Sequence, residues 1–580
     1  PERLLGTLTS TRVLSCPFNI RESWATGECD KVKLYYERNT HWRRAMGNEK
    51  AAENIAGRPN IIVILVDDMG FSDIGCYGAE IQTPNLDRLA ENGMRFSQMY
   101  NCARCCPTRA SLLTGIYPHQ AGVGLMVGNA GTPAYQGYLR DDCVSIAEVL
   151  RSQGYRTLMS GKWHVGGPYA VDKPETWQRA GDEGHPTPLQ RGFDRYYGTL
   201  TGAGSYFKPP TLMDQDAFVE PEGDIYYFTD AVSDNAVQMI EECADDDAPF
   251  FLYTAYTAPH WPLHALPEDI ARYKGKYRVG WDKIRTQRHE ELKGSGLLNR
   301  KWDISPRDEK APPWEDAKLK DWEDLRMAVY AAQIDRMDQG VGKIVNKIRD
   351  LGMEDNTIIM FLADNGGCAE FLREEGKSGT WPEHYSIPTR DGRPVYVGNK
   401  PGLEPGPDDT FMSYDLPWAN ASNSPFRLYK HWVHEGGIAT PFIVHWPAAV
   451  GSGIVHEACH VIDIMATCLE ASGIAYPSEF NGQEITPMEG ESLVPLLRGN
   501  TWTRERPIFW EHHGNSAVRM DEWKLVRKHP TDWELYNMTA DRTELSDLIQ
   551  KNQSKVEELS AEYVEWAARY GVRDWPLSKG

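Results

Sequence analysis

The residues of this sequence best equipped for chemistry stand in one short run, Cys105-Cys106-Pro107-Thr108-Arg109, continued by Ala110-Ser111-Leu112-Leu113-Thr114-Gly115. Pro107 suits the first turn of a helix, which puts Cys105 at a positive helix N-terminus, a ready site for an anion. A Cys-based phosphatase loop needs Cys and Arg six positions apart, and six before Arg109 stands Ala103, so that chemistry fails. The plain alternative for the thiol is structural burial. Cys102, Cys105 and Cys106 also lack the paired spacing of a zinc ribbon.

A second set of groups consists of oxygen donors. Asp67-Asp68 directly follows the apolar run Ile61 to Val66, and adjacent carboxylates repel each other unless a cation is present. The run Thr357 to Leu362 ends in the same way, in Ala363-Asp364-Asn365-Gly366-Gly367. The ends of buried strands are where open α/β sheets place their ligands. Three carboxylates and one amide are hard donors that suit Ca²⁺, or less well Mg²⁺, and not zinc.

The elements that must carry these groups are legible as an alternation. Ile61 to Val66 reads as a strand buried on both faces. Thr83-Pro84 starts a helix that stops at Gly93, and another runs from about Ser145 to Gly154. Pro249 to Tyr253, Thr357 to Leu362 and Phe442 to Val444 read as further strands, and Leu325 to Asp350 as a long helix. The predicted fold class is therefore α/β, a large mixed but mostly parallel central sheet flanked by helices. Residues 275–325 are charged and proline-bearing and read as a long surface insertion. After Arg504 come short strands (Ile508 to Trp510, Trp523 to Val526, Trp533 to Tyr536) and a terminal helix near Lys555 to Tyr570, a smaller α+β subdomain. The expected organisation is an N-terminal extension (1–57, with Cys16 and Cys29) of open role, a catalytic α/β domain (58–504) and the C-terminal subdomain (505–580).

Composition narrows the partners. The 580 residues carry 62 basic and 83 acidic side chains, a net charge of −21, which repels nucleic acid and anionic membranes. The same field repels an anionic substrate, so a sulfate or phosphate site must be a local basic pocket containing a metal. The longest aliphatic run is far short of the ~20 residues of a membrane helix. Residues 1–57 show no signal-like apolar segment, and the chain starts at Pro1, so compartment is not read directly from it.

Cys-x-Pro-Thr-Arg followed by an apolar pair, Thr and Gly resembles the signature of the type I sulfatases of the alkaline phosphatase superfamily. Other landmarks of that family follow in order over about residues 58–570: Val66-Asp67-Asp68, Thr83-Pro84-Asn85-Leu86-Asp87, Gly161-Lys162-Trp163-His164-Val165-Gly166, Ala258-Pro259-His260, Asp364-Asn365-Gly366, and Lys430 before Glu435-Gly436-Gly437. Phe426 to Lys430 and Gly280-Trp281-Asp282 look most like the bacterial arylsulfatase branch. Cys106 departs from the family's usual small Ser, Thr or Ala, and leaves room for a disulfide with a neighbour.

The resemblance implies that Cys105 is oxidised to formylglycine by a maturation enzyme and that its hydrate is the nucleophile, held by the metal and Arg109. It implies a Ca²⁺ held by Asp67, Asp68, Cys105, Asp364 and Asn365, and sulfate bound by Lys162, His260 and Lys430. His260 or Lys430 would protonate the leaving oxygen, and His164 would take a proton from residue 105. Taken singly, Lys162, His164, His260 and Lys430 read more readily as surface charges or packing contacts than as functional groups; the series with Cys105 favours function. The expected activity is hydrolysis of sulfate monoesters of aryl alcohols or saccharides, with Gly202 to Pro210 and the 275–325 segment shaping specificity. The rivals are a phosphonate or phosphate ester hydrolase on the same scaffold, and a non-catalytic binder of sulfated glycans. A two-zinc phosphatase is disfavoured because Asn365 stands where an Asp-His pair is expected. Bacterial relatives imply a periplasmic or secreted location.

Overall fold

The computed structural model describes residues 57–244, 248–373 and 386–577. Apart from Gly57, the N-terminal extension with Cys16 and Cys29 lies outside the described residues. The first apolar run forms β1 (Asn60–Val66), and Ile61 to Val66 are all inaccessible to solvent. The other strands of its sheet are β2 (Met94–Tyr100), β3 (Arg156–Gly161), β4 (Arg195–Thr199), β5 (Leu212–Asp214), β6 (Ala217–Phe218), β7 (Phe250–Ala255), β8 (Thr357–Ala363), β9 (Ala439–His445), β10 (Gly453–Val455) and β11 (Cys459–His460). They pair in the order β10-β2-β9-β8-β1-β7-β3-β4-β5-β6, with β11 also against β2. From β8 through β4 every neighbour is parallel. The antiparallel pairings are β9 with β8 and β2, and β5 with β4 and β6.

Alternation along β1 explains the layering. Ile62, Ile64 and Val66 face one core, shared with α1 (Pro84–Glu91). Ile61, Val63 and Leu65 face the other, shared with α2 (Cys105–Thr114) and α3 (Ile146–Ser152). Helices thus cover both faces, as a parallel sheet requires. The start of α3 falls where Ser145 predicts it: Ser145 and Glu148 form a reciprocal capping box, with Glu148 N donating to Ser145 Oγ at 3.0 Å.

The first core also takes α4 (Phe228–Glu242), α5 (Trp281–Gly294) and the long α6 (Lys320–Asp350), which begins five residues before the predicted Leu325. The helix α5 corrects the reading of 275–325 as a surface insertion. Tyr277, Trp281, Ile284 and Leu292 are buried, and Trp281 meets Trp314 and Trp418 edge-on at 4.7 and 5.4 Å. Its charges are turned inward as well: Arg288 is inaccessible and pairs with Asp73 at 2.6 Å and Glu80 at 2.9 Å. A high charge count predicts exposure only when the charges lack partners inside.

Towards the C-terminus, β12 (Ile508–His512), β13 (Asn515–Met520), β14 (Trp523–Arg527) and β15 (Glu534–Asn537) form a four-stranded antiparallel sheet. The terminal helix, α7 (Gln553–Arg569), lays Leu559, Tyr563 and Trp566 on Phe509, Val518 and Leu525. No helix among the described residues is long and apolar enough to cross a membrane.

Candidate active site

Sheet register brings the acidic groups together. Val66 pairs with Ala363 across β1 and β8, so Asp67 and Asp364 leave adjacent parallel strands side by side, with Asp364 N donating to Val66 O at 3.0 Å. Leu65 and Gly161 both pair with Ala255 of β7, which brings Lys162 to the same edge, and the chain after β7 carries His260. Asp67, Asp68, Asp364 and Asn365 are all buried.

The helix α2 enters from the side. Its N-cap, Arg104, is extended, and Thr108 ties the first turn to the strand end by accepting from Cys102 N at 2.9 Å and donating to Asp364 O at 2.6 Å. Arg109, one turn after Cys105, donates to Asp364 Oδ2 from Nη2 at 2.7 Å and from Nε at 3.1 Å. It also reaches Asp67 Oδ2 at 3.2 Å and the Lys162 carbonyl at 3.1 Å. Lys162 Nζ donates to Asp67 Oδ2. Lys430 Nζ lies 2.7 Å from Asp68 Oδ1 and 3.2 Å from His260 Nε2. His260 Nδ1 faces the Trp261 carbonyl at 2.6 Å, which assigns its hydrogen to Nδ1 and leaves Nε2 as the acceptor towards Lys430.

Two acceptors in this cluster are left over. Asn365 donates from Nδ2 to Asp68 Oδ1 at 2.7 Å, but Asn365 Oδ1 and Asp67 Oδ1 have no hydrogen-bond partner among the described residues. A buried unpaired acceptor costs roughly 1–3 kcal/mol, so two on neighbouring residues suit an oxygen-seeking cation. Asp364 is pushed well above the usual carboxylate range by burial and then by Asp67, the strain expected of crowded carboxylates. Burial acts the same way on Asp67, but Lys162, His260 and Arg109 together hold it below its ordinary value. Burial opposes the charge on Lys430, yet Asp68 keeps its pKa well above the ordinary value. The carboxylate and amide oxygens fit Ca²⁺, although the His260 nitrogen also lies within 4.8 Å of ligand oxygens of Asp67 and Asp68.

Cys105 faces a different neighbourhood. The thiol contacts of Cys106, then Lys162 and His164, hold its pKa well below the ordinary value against the effect of burial. Cys105, Cys106 and His164 place their ligating atoms within 4.8 Å of one another. His164 sits at φ 55° and its ring lies over Gly202, where a Cβ would come 2.4 Å from Cε1, so only glycine allows this approach. Burial lowers the His164 pKa to about 4, and its Nδ1 has no partner among the described residues. Cys106 makes no disulfide: its thiol points at Met126 Sδ, 3.4 Å away, and the nine cysteines in the described residues are all free.

All ten residues singled out from the sequence therefore meet in one buried cluster. Sequence reasoning missed Glu370, whose carboxylate accepts from Arg104 Nη1 at 2.9 Å and Trp261 Nε1 at 3.0 Å. It clamps the residue before Cys105 to the residue after His260. Burial opposes its charge, but Arg104, Lys430 and His260 hold it far below the usual carboxylate range. Nothing in its local sequence marks it.

Comparison with known proteins adds a second line. A family model described as "Sulfatase" matches residues 59–474, and one described as "N-sulphoglucosamine sulphohydrolase, C-terminal" matches residues 426–566. The chain is 33% identical to an arylsulfatase of Klebsiella aerogenes over 76% of its own length and 92% of the relative's. It is 29% identical to an uncharacterized sulfatase of Schizosaccharomyces pombe, covering 91% of this chain and 96% of the relative. Among solved structures it is similar to Ps i-CgsB, determined in complex with k-i-k-neocarrahexaose, with a TM-score of 0.60 and 25% identity over 90% of this chain and 94% of that one.

Proposed function

Since the chain belongs to the sulfatase family and acts as a sulfatase, we propose that it cleaves sulfate monoesters at residue 105, after oxidation of Cys105 to formylglycine and with one bound Ca²⁺. The observation that carries this reading is the meeting of three buried cations, Arg109, Lys162 and Lys430, with the buried carboxylates of Asp67, Asp68 and Asp364 in a chain of net charge −21. With a divalent cation bound among the three carboxylates, positive charges would outnumber negative ones, and such a pocket would attract and neutralise a tetrahedral anion that the rest of the surface repels.

Asp67, Asp68, Asp364 and Asn365, with residue 105, would hold the Ca²⁺. When bound, the ion supplies a Lewis acid that neutralises sulfate oxygens. Formylglycine supplies a hydrated aldehyde, whose second hydroxyl allows turnover where a thiol would stall. Arg109 fixes Asp67 and Asp364 relative to α2. Lys162 and Lys430 stabilise negative charge on the sulfuryl group. Lys430, whose charge Asp68 favours, and His260, whose charge burial opposes, form a 3.2 Å contact on which the leaving oxygen's proton is held. His164, neutral above a pKa of about 4, accepts a proton at residue 105.

The relatives' names support two substrate classes: an aryl sulfate, as for the Klebsiella arylsulfatase, or the sulfate ester of a saccharide, in line with the oligosaccharide bound to Ps i-CgsB. A formylglycine-generating enzyme is the implied maturation partner, and a periplasmic or secreted location is the implied setting. The test is hydrolysis of nitrophenyl sulfate beside nitrophenyl phosphate and a panel of defined sulfated saccharides. Sulfate esters should be turned over with the higher kcat/KM. Preference for the phosphate would make the chain a phosphate ester hydrolase, and binding without turnover by protein converted at residue 105 would make it a glycan binder.

A further inference from the structure

Beside the pocket lies a cluster that the sulfatase chemistry leaves unused. His431 follows Lys430, and its backbone N–H donates to the Ala103 carbonyl at 2.8 Å, two residues before Cys105. Its ring meets those of His512 and His513, from the end of β12 and the turn after it, at centroid distances of 5.2 and 4.8 Å. Ligating nitrogens of the three rings all lie within 4.8 Å of one another. His512 is wholly buried, yet neither Nδ1 nor Nε2 has a hydrogen-bond partner among the described residues. Leaving both nitrogens of a buried imidazole unmet is costly, and the cost calls for a partner.

We propose that His431, His512 and His513 form a binding site for a divalent transition-metal ion of the zinc class at the rim of the catalytic pocket. Imidazole nitrogens are the ligands such ions prefer, and Ca²⁺ does not. A saccharide hydroxyl would need an accessible ring, which His512 does not offer, whereas an ion can reach it between the two half-buried histidines. Burial lowers the pKa of His431 to about 4 and of His513 to about 3, so the rings are neutral and their lone pairs are free for a metal. Zinc–nitrogen bonds of about 2.0–2.1 Å require the nitrogens to draw together to about 3.3 Å. His512 and His513 are stacked at 4.3 Å and 13°, with Trp575 on the far side of His513, so one of the stacked rings must turn about χ2, a soft torsion, to bring its plane onto the ion. Three protein ligands leave a fourth position open.

The test uses the calcium-loaded full chain with Zn²⁺ or Co²⁺ alone as probe. Calorimetry should show one ion per chain, and X-ray absorption should show a nitrogen shell at about 2.0–2.1 Å. His431→Ala and His513→Ala, both at half-buried positions, should each weaken binding by about 100-fold, because losing even an outer-shell partner of a metal costs about 10–100-fold. Sulfur in the shell would move the ion to Cys105, Cys106 and His164, an oxygen-only shell would move it to the carboxylates, and unchanged affinity in both variants would remove the three histidines. Each of these results overturns the proposal, and none depends on sulfatase activity.

Discussion

Among the described residues, two buried clusters of charge are built on opposite plans. At the junction between the large sheet and the C-terminal sheet, Glu435 accepts from Lys524 Nζ at 2.8 Å, Arg542 Nε at 2.9 Å and the Tyr100 hydroxyl at 3.0 Å. Glu544 accepts from the same lysine at 2.9 Å and from the Glu435 backbone at 3.2 Å. Every carboxylate oxygen there has a donor, and the unpartnered buried atoms are guanidinium nitrogens such as Arg542 Nη2. In the acidic part of the pocket the unpartnered atoms are acceptors, Asp67 Oδ1 and Asn365 Oδ1, and carboxylates stand against one another. The junction is closed electrostatically and holds two sheets together. The pocket is left open to a cation, which is how burial of charge for binding differs from burial of charge for structure.

The sharpest way to break this comparison is at residue 105. Cys105→Ala should reduce turnover by roughly 10⁴–10⁶-fold, as loss of a nucleophile does, with thermal unfolding unchanged. Residual turnover near wild type would detach the pocket from the chemistry. Next, Asp364→Ala should remove Ca²⁺ from the isolated protein, measured by elemental analysis, along with about 10³-fold or more of activity. Retention of one tightly bound ion would show that the open acceptors are not its ligands.

The basic groups should divide by leaving group. Lys430→Ala and His260→Ala should harm sugar sulfates by about 10²–10⁴-fold more than nitrophenyl sulfate, because only the poor leaving group needs a proton. Lys162→Ala should depress both classes alike. Parallel plots of log kcat/KM against leaving-group pKa for all three variants would undo that division.

At the junction the effect should fall on stability instead. Glu435→Gln should destabilise the fold by about 3–5 kcal/mol, seen in denaturant unfolding, while the metal stoichiometry of the folded protein stays the same. The pKa of Glu435, against burial, is held at about 2 by Lys524 and Arg542, below its ordinary 4.5. Its contribution is therefore complete above pH 4.5 and is lost as pH falls through about 2. The Gln variant should lose less stability over that window than the wild type. Cys106→Ser should have the smallest effect, under about tenfold in kcat/KM.

The pocket was far more legible in the sequence than the junction. Asp67, Asp68, Asp364 and Asn365 follow apolar runs that announce their own strands, and Cys105 and Arg109 share one helical turn with Pro107 as its punctuation. The junction has no such local mark, because Glu435, Lys524, Arg542 and Glu544 meet only through tertiary structure. β2 escaped notice for a related reason: Met94–Tyr100 mixes Arg95 and Gln98 into its apolar residues, and the partner of Gln98, Arg519, lies far away in sequence. The same holds for α5, whose inward Arg288 looks like surface charge until Asp73 and Glu80 are seen beside it. Fold class and strand ends are written locally. Partners of buried charges are not.

The most direct test of the account is the relation between turnover and the chemical state of residue 105. Preparations made with and without a maturation system would be assayed on nitrophenyl sulfate, and the peptide spanning Cys102 to Arg109 read by mass spectrometry. The account predicts aldehyde or its hydrate at 105, ordinary thiols at 102 and 106, and a rate proportional to the converted fraction. Full activity from protein whose Cys105 is an unmodified thiol would contradict it.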